Sequence, residues 1–239
     1  MIDEVVARLR DARSVFVLTG SGISAESGLP TFRGVGGLWR THRVEALASP
    51  EGFARDPVLV WTWYNERRAA HKNAQPSAAH VALANLEHHF PDFTLATQNV
   101  DSLHLRAGSR NVLELHGNLR EARCNGCGAI RALDGALPLD EIEHSCGGLF
   151  RPSVVWFGES LPSREWGLAA EAATRADVKL VIGTSAIVHP AASLALGEDA
   201  WVAEINPEET AISDLVDASL RVRASEALPQ IEAMLTVEA

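Results

Sequence analysis

The stretch VFVLTGSGISAESGLPTFRG, residues 15–34, decides the fold of this 239-residue chain. Residues 15–18 are apolar and β-branched at two positions, which predicts a buried strand of a parallel sheet. Gly20, Gly22 and Ala25 then form a G-x-G-x-x-A pattern. Its first glycine permits a tight turn, and its second keeps a Cβ away from a bound pyrophosphate. A short helix starting within residues 24–27 would turn its N–H groups toward that anion, although the glycine pattern alone fits an ordinary strand-to-helix turn equally well.

The residues after the glycines depart from the usual dinucleotide-binding order. Residues 28–30, Gly-Leu-Pro, end any helix at once, and Thr31, Phe32 and Arg33 place an aromatic ring and a cation beside the expected phosphate site. A nicotinamide dehydrogenase continues with a full helix and a second strand that ends in an acidic residue, and no strand candidate occurs within residues 29–90. The sequence therefore predicts a bound nucleotide without the layout for hydride transfer.

Composition sets the broad class of protein. The hydrophobic content of 46% and charged content of 22% are typical of a globular enzyme, and 239 residues suffice for one large domain with an insert. The net charge of −10 argues against sequence-independent binding of nucleic acid. No apolar run reaches the length of a membrane span, and three cysteines are too few for a disulfide framework. We expect a cytoplasmic protein.

Apolar periodicity predicts an α/β protein. Helices are expected at 2–12, at two sites that start near 56–57 and 76–77, and at 163–176, 190–196 and 225–236. Strands are expected at 15–18, 93–97, 112–115, 154–157, 178–182, 201–205 and 220–222. The alternation of strands and helices from residue 150 onward predicts parallel pairing. Residues 34–90 are interpreted as a mainly helical insertion.

Polar residues follow several predicted strands, where open α/β sheets place their ligand contacts. Gln98, Asn99 and Asp101 follow one strand; they suit recognition of a carboxamide and equally suit an Asx turn. His116 is a candidate general base or a structural histidine bonded to a backbone carbonyl. Residues 183–185, Gly-Thr-Ser, and Asn206 are candidates for ribose or phosphate contacts, or simple loop junctions.

Three cysteines predict a metal site. Cys124 and Cys127 form a Cys-x2-Cys pair. Cys146 follows with 18 residues between it and the pair's second cysteine, and the chain has no fourth cysteine. Glu143 stands in the place of the missing thiolate, and His144 is the other possible ligand. A vestigial site that folds without metal is the alternative.

Within the helical insertion, Tyr64 and Arg67 are three residues apart and share a helix face. A phenol and a guanidinium on one face can hold a carboxylate, although such a pair more often marks a helix surface. His80 is interpreted as a packed helix residue.

Taken together, these motifs resemble the sirtuins, the NAD-dependent protein lysine deacylases. The matching segments run in family order and cover nearly the whole chain. They are residues 20–33 (GSGISAESGLPTFR), 97–101 (TQNVD), 115–118 (LHGN), the Cys-x2-Cys pair, 154–159 (VVWFGE), 183–185 (GTS) and 205–206 (IN). Residues 63–67 (WYNER) resemble the Tyr-x-x-Arg of the class that prefers succinyl and malonyl groups.

The resemblance implies a Rossmann-like parallel sheet in a single catalytic domain. The large part would comprise 1–33, 91–119 and 152–239, and the small part the helical insert 34–90 and a zinc-ribbon-like module at 120–151. NAD would lie between the two parts and be consumed, and a structural zinc would lie away from it.

The resemblance also implies roles for individual residues. The catalytic residues would be His116, Asn99 and Asp101. The NAD-binding residues would be Gly20, Ser21, Gly22, Ala25, Glu26, Thr31, Phe32, Arg33, Gln98, Asn99, Asp101, Gly183, Thr184, Ser185, Asn206 and Ala224. The substrate-binding residues would be Tyr64, Arg67, Val154, Trp156, Phe157, Gly158, Glu159 and Val188. The zinc ligands would be Cys124, Cys127, Cys146 and either Glu143 or His144.

The implied activity is removal of acetyl groups, and of succinyl or malonyl groups, from protein lysines. It would give nicotinamide, O-acyl-ADP-ribose and free lysine. The alternative is a protein mono-ADP-ribosyltransferase that cleaves NAD in the same way. The expected partners are acylated lysine side chains and NAD, with no nucleic acid and no membrane, and the expected state is a monomer.

Overall fold

The computed structural model describes residues 1–32, 44–197 and 199–236. The helices are α1 (Ile2–Asp11), α2 (Val44–Leu47), α3 (Pro50–Arg55), α4 (Pro57–Asn73), α5 (Ala78–Leu86), α6 (Leu103–Ala107), α7 (Ser163–Arg175) and α8 (Ala224–Thr236). The strands are β1 (Ser14–Thr19), β2 (Asp92–Thr97), β3 (Val112–Glu114), β4 (Gly117–Cys124), β5 (Ile130–Ala132), β6 (Phe150–Val154), β7 (Val178–Ile182), β8 (Trp201–Ile205) and β9 (Ala218–Leu220).

Six strands form a parallel sheet in the order β3-β2-β1-β7-β8-β9. The sequence prediction of a parallel sheet built around residues 15–18 is confirmed, since β1 pairs with β2 on one side and β7 on the other. The order of the strands reverses between β1 and β7. In open α/β sheets, the crevice at such a switch point, outside the carboxyl ends of the strands, is where ligands bind.

Two hydrophobic layers cover the sheet. One combines α1, α5 and α8 around core residues such as Leu9, Leu83 and Leu228. The other is formed by α7 and a 3₁₀ helix at Ala191–Leu194 against the opposite face. Helix α5 lies in the stretch read from the sequence as an insertion, yet its apolar side packs on the sheet with α8.

A second, smaller unit contains helices α2–α4 and a three-stranded sheet of order β5-β4-β6. Its core joins residues from both, including Trp61, Trp156 and Cys124. The indole N–H of Trp61 donates to the carbonyl of Phe150 at 2.8 Å and so links α4 to β6. The expected architecture of a parallel sheet with a small second part is confirmed.

Two predicted strands are wrong in position. The strand expected at 154–157 is β6, Phe150–Val154, and it pairs antiparallel with β4 instead of joining the parallel sheet. The chain leaves β6 because residues 155–159 fold into a turn in which Gly158 has a φ of +87°. The strand expected at 220–222 is β9, Ala218–Leu220, whose register is set by pairing with β8. Strands β4 and β5 were not predicted.

No described helix, in residues 1–32, 44–197 or 199–236, has both the length and the apolar character that crossing a membrane requires.

Candidate active site

A cleft of about 910 Å³ lies at the carboxyl edge of the sheet, beside the small unit. It brings together most of the residues that the sequence singled out. The predicted residues that line it are Gly20, Ser21, Gly22, Ala25, Glu26, Thr31, Phe32, Tyr64, Arg67, Gln98, Asn99, His116, Val154, Trp156, Phe157, Gly158, Glu159, Gly183, Thr184, Ser185, Val188, Asn206 and Ala224. Asp101 lines a small side recess of the same region. Arg33 lies outside the described residues.

The glycines of the first loop are required by the neighbouring loop. The Gly22 N–H donates to the carbonyl of Gly183 at 2.8 Å, and the Gly20 N–H donates to the carbonyl of Ile182 at 3.0 Å. A Cβ on Gly22 would lie 2.8 Å from Gly183 Cα. The sequence interpretation assigned this missing Cβ to phosphate clearance. The structure shows that it is already needed for contact between the loops after β1 and β7.

The helix after Gly20 is a 3₁₀ helix, Ser21–Ser27, and it ends at Gly28 in the left-handed conformation with φ of +80°. The early stop predicted from residues 28–30 is therefore present. It leaves Thr31 and Phe32 at the wall of the cleft.

Asn99 and Asp101 are held in a buried hydrogen-bond network below the cleft. Asn99 Nδ2 donates to the Gly20 carbonyl at 3.1 Å and lies 3.2 Å from Ser24 Oγ. Asp101 Oδ2 accepts from Ser24 Oγ at 2.7 Å, and Oδ1 accepts from the N–H of Leu103 at 2.9 Å. Burial raises the pKa of the Asp101 carboxyl, and these two donors partly oppose the shift. The Asx turn considered from the sequence is thus present, and it orients both Asp101 oxygens.

Gln98 links two loops at the cleft floor. Its side-chain Nε2 donates to Thr184 Oγ1 at 2.9 Å, and its backbone N–H donates to the Thr19 carbonyl at 2.9 Å. Asn206 Nδ2 donates to the Thr184 carbonyl at 3.1 Å on the opposite side. Both predicted amides therefore support the loop that follows β7.

His116 follows β3 with its imidazole in the wall of the cleft. Nδ1 lies 3.0 Å from the carbonyl oxygen of Gln98. Because a carbonyl oxygen only accepts, Nδ1 carries the proton and Nε2 keeps its lone pair. Burial lowers the pKa of His116, and the bond to Gln98 offsets part of that shift. The carbonyl contact of the structural alternative is thus present, and it prepares a neutral imidazole for use as a base.

Tyr64 and Arg67 line the cleft from helix α4. Tyr64 Oη accepts from the indole N–H of Trp156 at 3.0 Å, and burial raises the pKa of the phenol to about 12. The Arg67 guanidinium lies 4.8 Å from the ring centre of Phe32 and 4.7 Å from that of Trp63. Burial lowers the pKa of Arg67 to about 10, against the favourable charges of Tyr64 and Asp101. A buried cation held mainly by aromatic faces is suited to an incoming anion.

A separate cluster gathers Cys124, Cys127, His144 and Cys146, whose ligand atoms all lie within 4.8 Å of one another. Cys124 and Cys146 Sγ are 3.6 Å apart, and Cys127 Sγ is 3.5 Å from His144 Nδ1. A tetrahedral zinc with sulfur at about 2.3 Å requires ligand separations of about 3.8 Å. The donor set and its spacing therefore fit zinc, and His144 completes it.

Glu143, the other proposed ligand, is outside this group. Its backbone forms an isolated β-bridge with Leu149, and the described residues that gather at the metal cluster do not include it. Adjacent residues of an extended chain point in opposite directions, so only one of Glu143 and His144 can face the cysteines. None of the four clustered residues lines the cleft. A structural role therefore explains the cluster more simply than a catalytic role.

Comparison with known proteins identifies the family. The family model described as "Sir2 family" matches residues 20–190. This chain belongs to the Sir2 family. It is 51% identical to the NAD-dependent protein deacylase 2 of Pyrobaculum aerophilum over 93% of this chain and 91% of that protein. The sirtuin resemblance drawn from the sequence motifs is therefore confirmed.

Solved Sir2 structures share the whole fold. The chain is similar to a Sir2 homologue in complex with NAD, with 45% identity and a TM-score of 0.91 over 98% of this chain and 93% of the other. It is also similar to a Sir2 complex with a p53 peptide and NAD⁺, with 30% identity and a TM-score of 0.87 over 100% of both chains.

In this Sir2 chain, the carboxylate of Glu159 makes contacts within the protein. Its carboxylate pairs with Arg151, with Nη2 2.8 Å from Oε2, and accepts from the Trp156 N–H at 2.8 Å. Arg151 also lies 3.4 Å from the centre of the Trp156 indole. Glu159 lines the cleft, but its charge is used to hold the turn that carries Trp156 and Phe157.

Sequence reasoning missed two polar residues of this Sir2 site, Ser24 and His80. His80 Nδ1 accepts from the Ser77 N–H at 3.2 Å, so its proton lies on Nε2, which is 3.4 Å from Ser24 Oγ. Burial lowers the pKa of His80 to about 4 and keeps it neutral. The signal was the Ser77-x-x-His80 spacing, which matches a capping box. Only the fold reveals that the same imidazole reaches Ser24.

Proposed function

We propose that this chain is an NAD-dependent protein lysine deacylase. The observation that carries the proposal is one cleft that holds a neutral His116, with its lone pair on Nε2, and a buried, oriented Asn99–Asp101 pair. The relative from Pyrobaculum aerophilum, at 51% identity, carries the name of such a deacylase. That name supports deacylation rather than the alternative of protein ADP-ribosylation.

The cleft residues have distinct proposed roles toward NAD. Those from the loops after β1, β7 and β8, together with Ala224, would hold the adenosine and pyrophosphate. They are Gly20, Ser21, Gly22, Ala25, Glu26, Gly183, Thr184, Ser185, Asn206 and Ala224. Thr31, Phe32 and Arg33 would close over the ribose next to nicotinamide, and Gln98, Asn99 and Asp101 would bind the ribose and the carboxamide.

Bound NAD supplies a ribose carbon that becomes electrophilic as nicotinamide departs. Asn99 and Asp101 orient the carboxamide, and the low polarity around them strengthens those contacts. The acyl oxygen of the lysine substrate bonds to that carbon. His116 Nε2 then takes the proton from a ribose hydroxyl, which attacks the acyl carbon. One water is consumed as lysine leaves, and the acyl group remains on the ribose.

The peptide carrying the lysine would lie along the wall formed by Val154, Trp156, Phe157, Gly158 and Val188. The Phe157 N–H donates to the Ala48 carbonyl at 3.0 Å, so the turn is tied to the small unit. The Sir2 complex with a p53 peptide supports a protein substrate. We further propose that the enzyme is cytoplasmic, a location that three cysteines without a disulfide pattern support, and that it acts as a monomer.

Arg67 and Tyr64 would extend the acyl range to succinyl and malonyl groups. The guanidinium is buried against Phe32 and Trp63 and would pair with the terminal carboxylate. Arg67→Met is expected to lower kcat/KM for a succinyl-lysine peptide about 10- to 100-fold, with little change for the acetyl peptide. Lys72→Met, on the same helix but exposed, is the control. Equal losses for both peptides would contradict the acyl assignment.

We also propose a zinc ion at the Cys124, Cys127, His144 and Cys146 cluster, with a purely structural role. We propose that the chain is divided into two parts of one catalytic domain. The nucleotide-binding part comprises residues 1–33, 91–119 and 152–239. The insert 34–90 and the module 120–151 form the smaller part, except that α5 packs with the sheet.

The main test is a coupled assay of an acetyl-lysine peptide with and without NAD. One nicotinamide released for each lysine freed, together with an acylated ADP-ribose, is the expected result. Labelled ADP-ribose on protein without any deacylated peptide would overturn the proposal in favour of the transferase.

A further inference from the structure

A carboxylate is buried in the parallel sheet at a position where an apolar side chain is usual. Glu204 lies on β8 and is only 1% exposed. In register it lies between Val181 of β7 and Ser219 of β9, and it shares a face of β8 with Val202, which packs in the core under α7. Removing a carboxylate from water is costly unless hydrogen-bond donors surround it. The donors around Glu204 therefore show what this charge is used for.

Four side-chain donors surround the Glu204 carboxylate. Ser219 Oγ on β9 and Arg221 Nη1 just after β9 both donate to Oε2 at 2.7 Å. Ser213 Oγ donates to the same oxygen at 2.9 Å, and Thr210 Oγ1 donates to Oε1. Burial acts to raise the pKa of the carboxyl, but these hydrogen bonds together outweigh it and hold the pKa below the usual range. Glu204 is therefore a buried anion at neutral pH.

Two of the four donors, Thr210 and Ser213, belong to the segment 206–213 that follows β8, here called the β8 loop. The first five residues of the β8 loop line the main cleft, whereas Ser213 and Glu204 are not among the described residues that line it. The β8 loop also touches the neighbouring loop, since the Ala211 N–H donates to the carbonyl of Ser185 at 3.5 Å. The anion therefore holds part of the cleft wall from behind.

The β8 loop has few other anchors. Of its eight residues only Ile212 is buried, and residues 207–209 are exposed. Two of its hydrogen bonds close within the loop, from the Thr210 N–H to Ser213 Oγ at 2.8 Å and from the Ile212 N–H to Thr210 Oγ1 at 3.3 Å. Both hydroxyls in these bonds also donate to Glu204. A loop with so little apolar burial opens easily once its polar anchor is lost.

The β8 loop lies at the end of the cleft that the proposed function assigns to adenosine and pyrophosphate. We propose that Glu204 is a positioning residue for NAD, because its carboxylate keeps the β8 loop in one arrangement before the dinucleotide binds. A loop that is already ordered avoids the ordering cost at binding, so the affinity is higher. The bonds that orient His116 and Asn99 come instead from the loops after β1 and β2. This inference rests on the proposed function, which supplies NAD as the ligand.

The first test uses Glu204→Gln, which keeps the size of the side chain and removes its charge. We expect KM for NAD and the Kd of ADP-ribose, measured by calorimetry, to rise about 3- to 30-fold. The kcat at saturating NAD and KM for the acyl peptide should stay within about threefold of the wild type, since the reacting end of the cleft is held by other groups. Unchanged affinity for ADP-ribose, or a fall in kcat as large as the rise in KM for NAD, would overturn the proposal.

Asp177→Asn is the matched control. Asp177 is a carboxylate that precedes β7 at the opposite edge of the sheet, and its Oδ2 accepts from the backbone N–H groups of Arg13 and Ser14, each at 2.9 Å. Its substitution also removes a hydrogen-bonded charge. We expect Asp177→Asn to lower the melting temperature without changing the Kd of ADP-ribose. An equal loss of affinity in this control would show that general destabilisation, and not the β8 loop, explains the effect.

Two serine variants test the loop even if Glu204→Gln does not fold. Ser213 and Ser219 both donate to Glu204 Oε2, the first from the β8 loop and the second from the strand β9. We expect Ser213→Ala to weaken ADP-ribose binding about 2- to 5-fold and Ser219→Ala to change it less than twofold. Equal weakening by the two variants would contradict a role that acts through the β8 loop.

Hydrogen exchange tests the ordering of the β8 loop directly. In the NAD-free Glu204→Gln variant, the amides of residues 207–213 should exchange faster than in the wild type, whereas those of β1 and β2 should not change. Added ADP-ribose should slow the exchange of the β8 loop again. Wild-type exchange of these amides in a variant that has lost affinity would overturn the proposal.

The two proposals fail in different ways. A wild type that deacylates with NAD, while Glu204→Gln binds ADP-ribose equally well, refutes the role of Glu204 alone. A wild type that binds ADP-ribose but does not deacylate refutes the proposed function, and the affinities of the variants still decide the role of Glu204. A wild type that does neither refutes both.

Discussion

Nδ1 of His116 lies 3.0 Å from the carbonyl oxygen of Gln98, and this contact determines which nitrogen of the imidazole can act as a base. The carbonyl holds the proton on Nδ1, so Nε2 is available in the cleft. Gln98 is itself anchored to Thr184 Oγ1 at 2.9 Å. The tautomer of His116, the proposed general base, is therefore linked to the loop after β7.

Replacing His116, the proposed general base, should reduce turnover with little effect on folding. We expect His116→Ala to lower kcat about 10²- to 10⁴-fold, because it removes the imidazole that would take the proton from the ribose hydroxyl. Direct NAD binding by calorimetry should change by less than about tenfold. The exposed variant His89→Ala is the control. A kcat near that of the wild type would show that another group is the base.

Gly22→Ala should damage the cleft through packing, not through the phosphate. Its Cβ would lie 2.8 Å from backbone atoms of Gly183, which cannot move like a flexible side chain. The expected cost is about 1–3 kcal/mol in the free energy of unfolding, measured by urea denaturation without NAD. Gly167→Ala, an exposed helix glycine whose Cβ meets nothing within 4 Å, is expected to stabilise slightly. A loss of stability in Gly22→Ala that appears only when NAD is present would contradict this explanation by packing.

Glu159 should matter through the turn that it holds. Glu159→Gln removes the charge partner of Arg151, whose side chain is only 6% exposed, and an uncompensated buried cation is costly. We expect a higher KM for the acyl peptide and a loss of about 1–3 kcal/mol in stability. Glu171→Gln is the matched control, because Glu171 forms an exposed ion pair with Arg175 at 3.8 Å. It should change stability and peptide KM very little. Unchanged peptide KM and stability would rule out this role.

Acid should destabilise the protein partly through His80. Its pKa is about 4 in the folded chain and 6.5 in the reference state. The unfolded chain therefore gains its proton first as pH falls, so stability is complete above 6.5 and is lost between about 6.5 and 4. The loss from this group is about 3 kcal/mol. Across that pH window, the free energy of unfolding should change less steeply with pH in His80→Gln than in the wild type. An equal pH slope in both proteins would contradict the shift.

The choice between Glu143 and His144 as the fourth metal ligand can be tested by substitution. Cys146→Ser should remove most of the proposed zinc and lower the melting temperature, because it deletes one of the four proposed ligands. Glu143→Gln should keep about one zinc per chain, since Glu143 is outside the cluster. Metal analysis of the purified variants decides this. Zinc loss in Glu143→Gln with retention in His144→Asn would reverse the ligand assignment.

The sequence alone predicted the features that depend on local pattern. The apolar run before Gly20, the glycine spacing and the stop at residues 28–30 specified β1, the tight loop and the short helix, because strand burial and glycine conformation act over a few neighbouring residues. The polar groups after strands β2 and β3 were also found, since parallel strands present their carboxyl ends at one edge. The family followed from the order of these motifs.

Contacts between segments far apart in sequence required the tertiary structure. Strand β6 belongs to the small sheet because β4 pairs with it, and residues 155–159 turn away because Arg151 holds Glu159. His144 joins the cysteines and Glu143 does not, because adjacent residues of an extended chain point in opposite directions. Likewise, His80 reaches Ser24 only after α5 packs near the β1 loop. Local propensity identified the strands of the parallel sheet and the longer helices. The small sheet and the partners of the buried polar groups were decided by how distant segments pack.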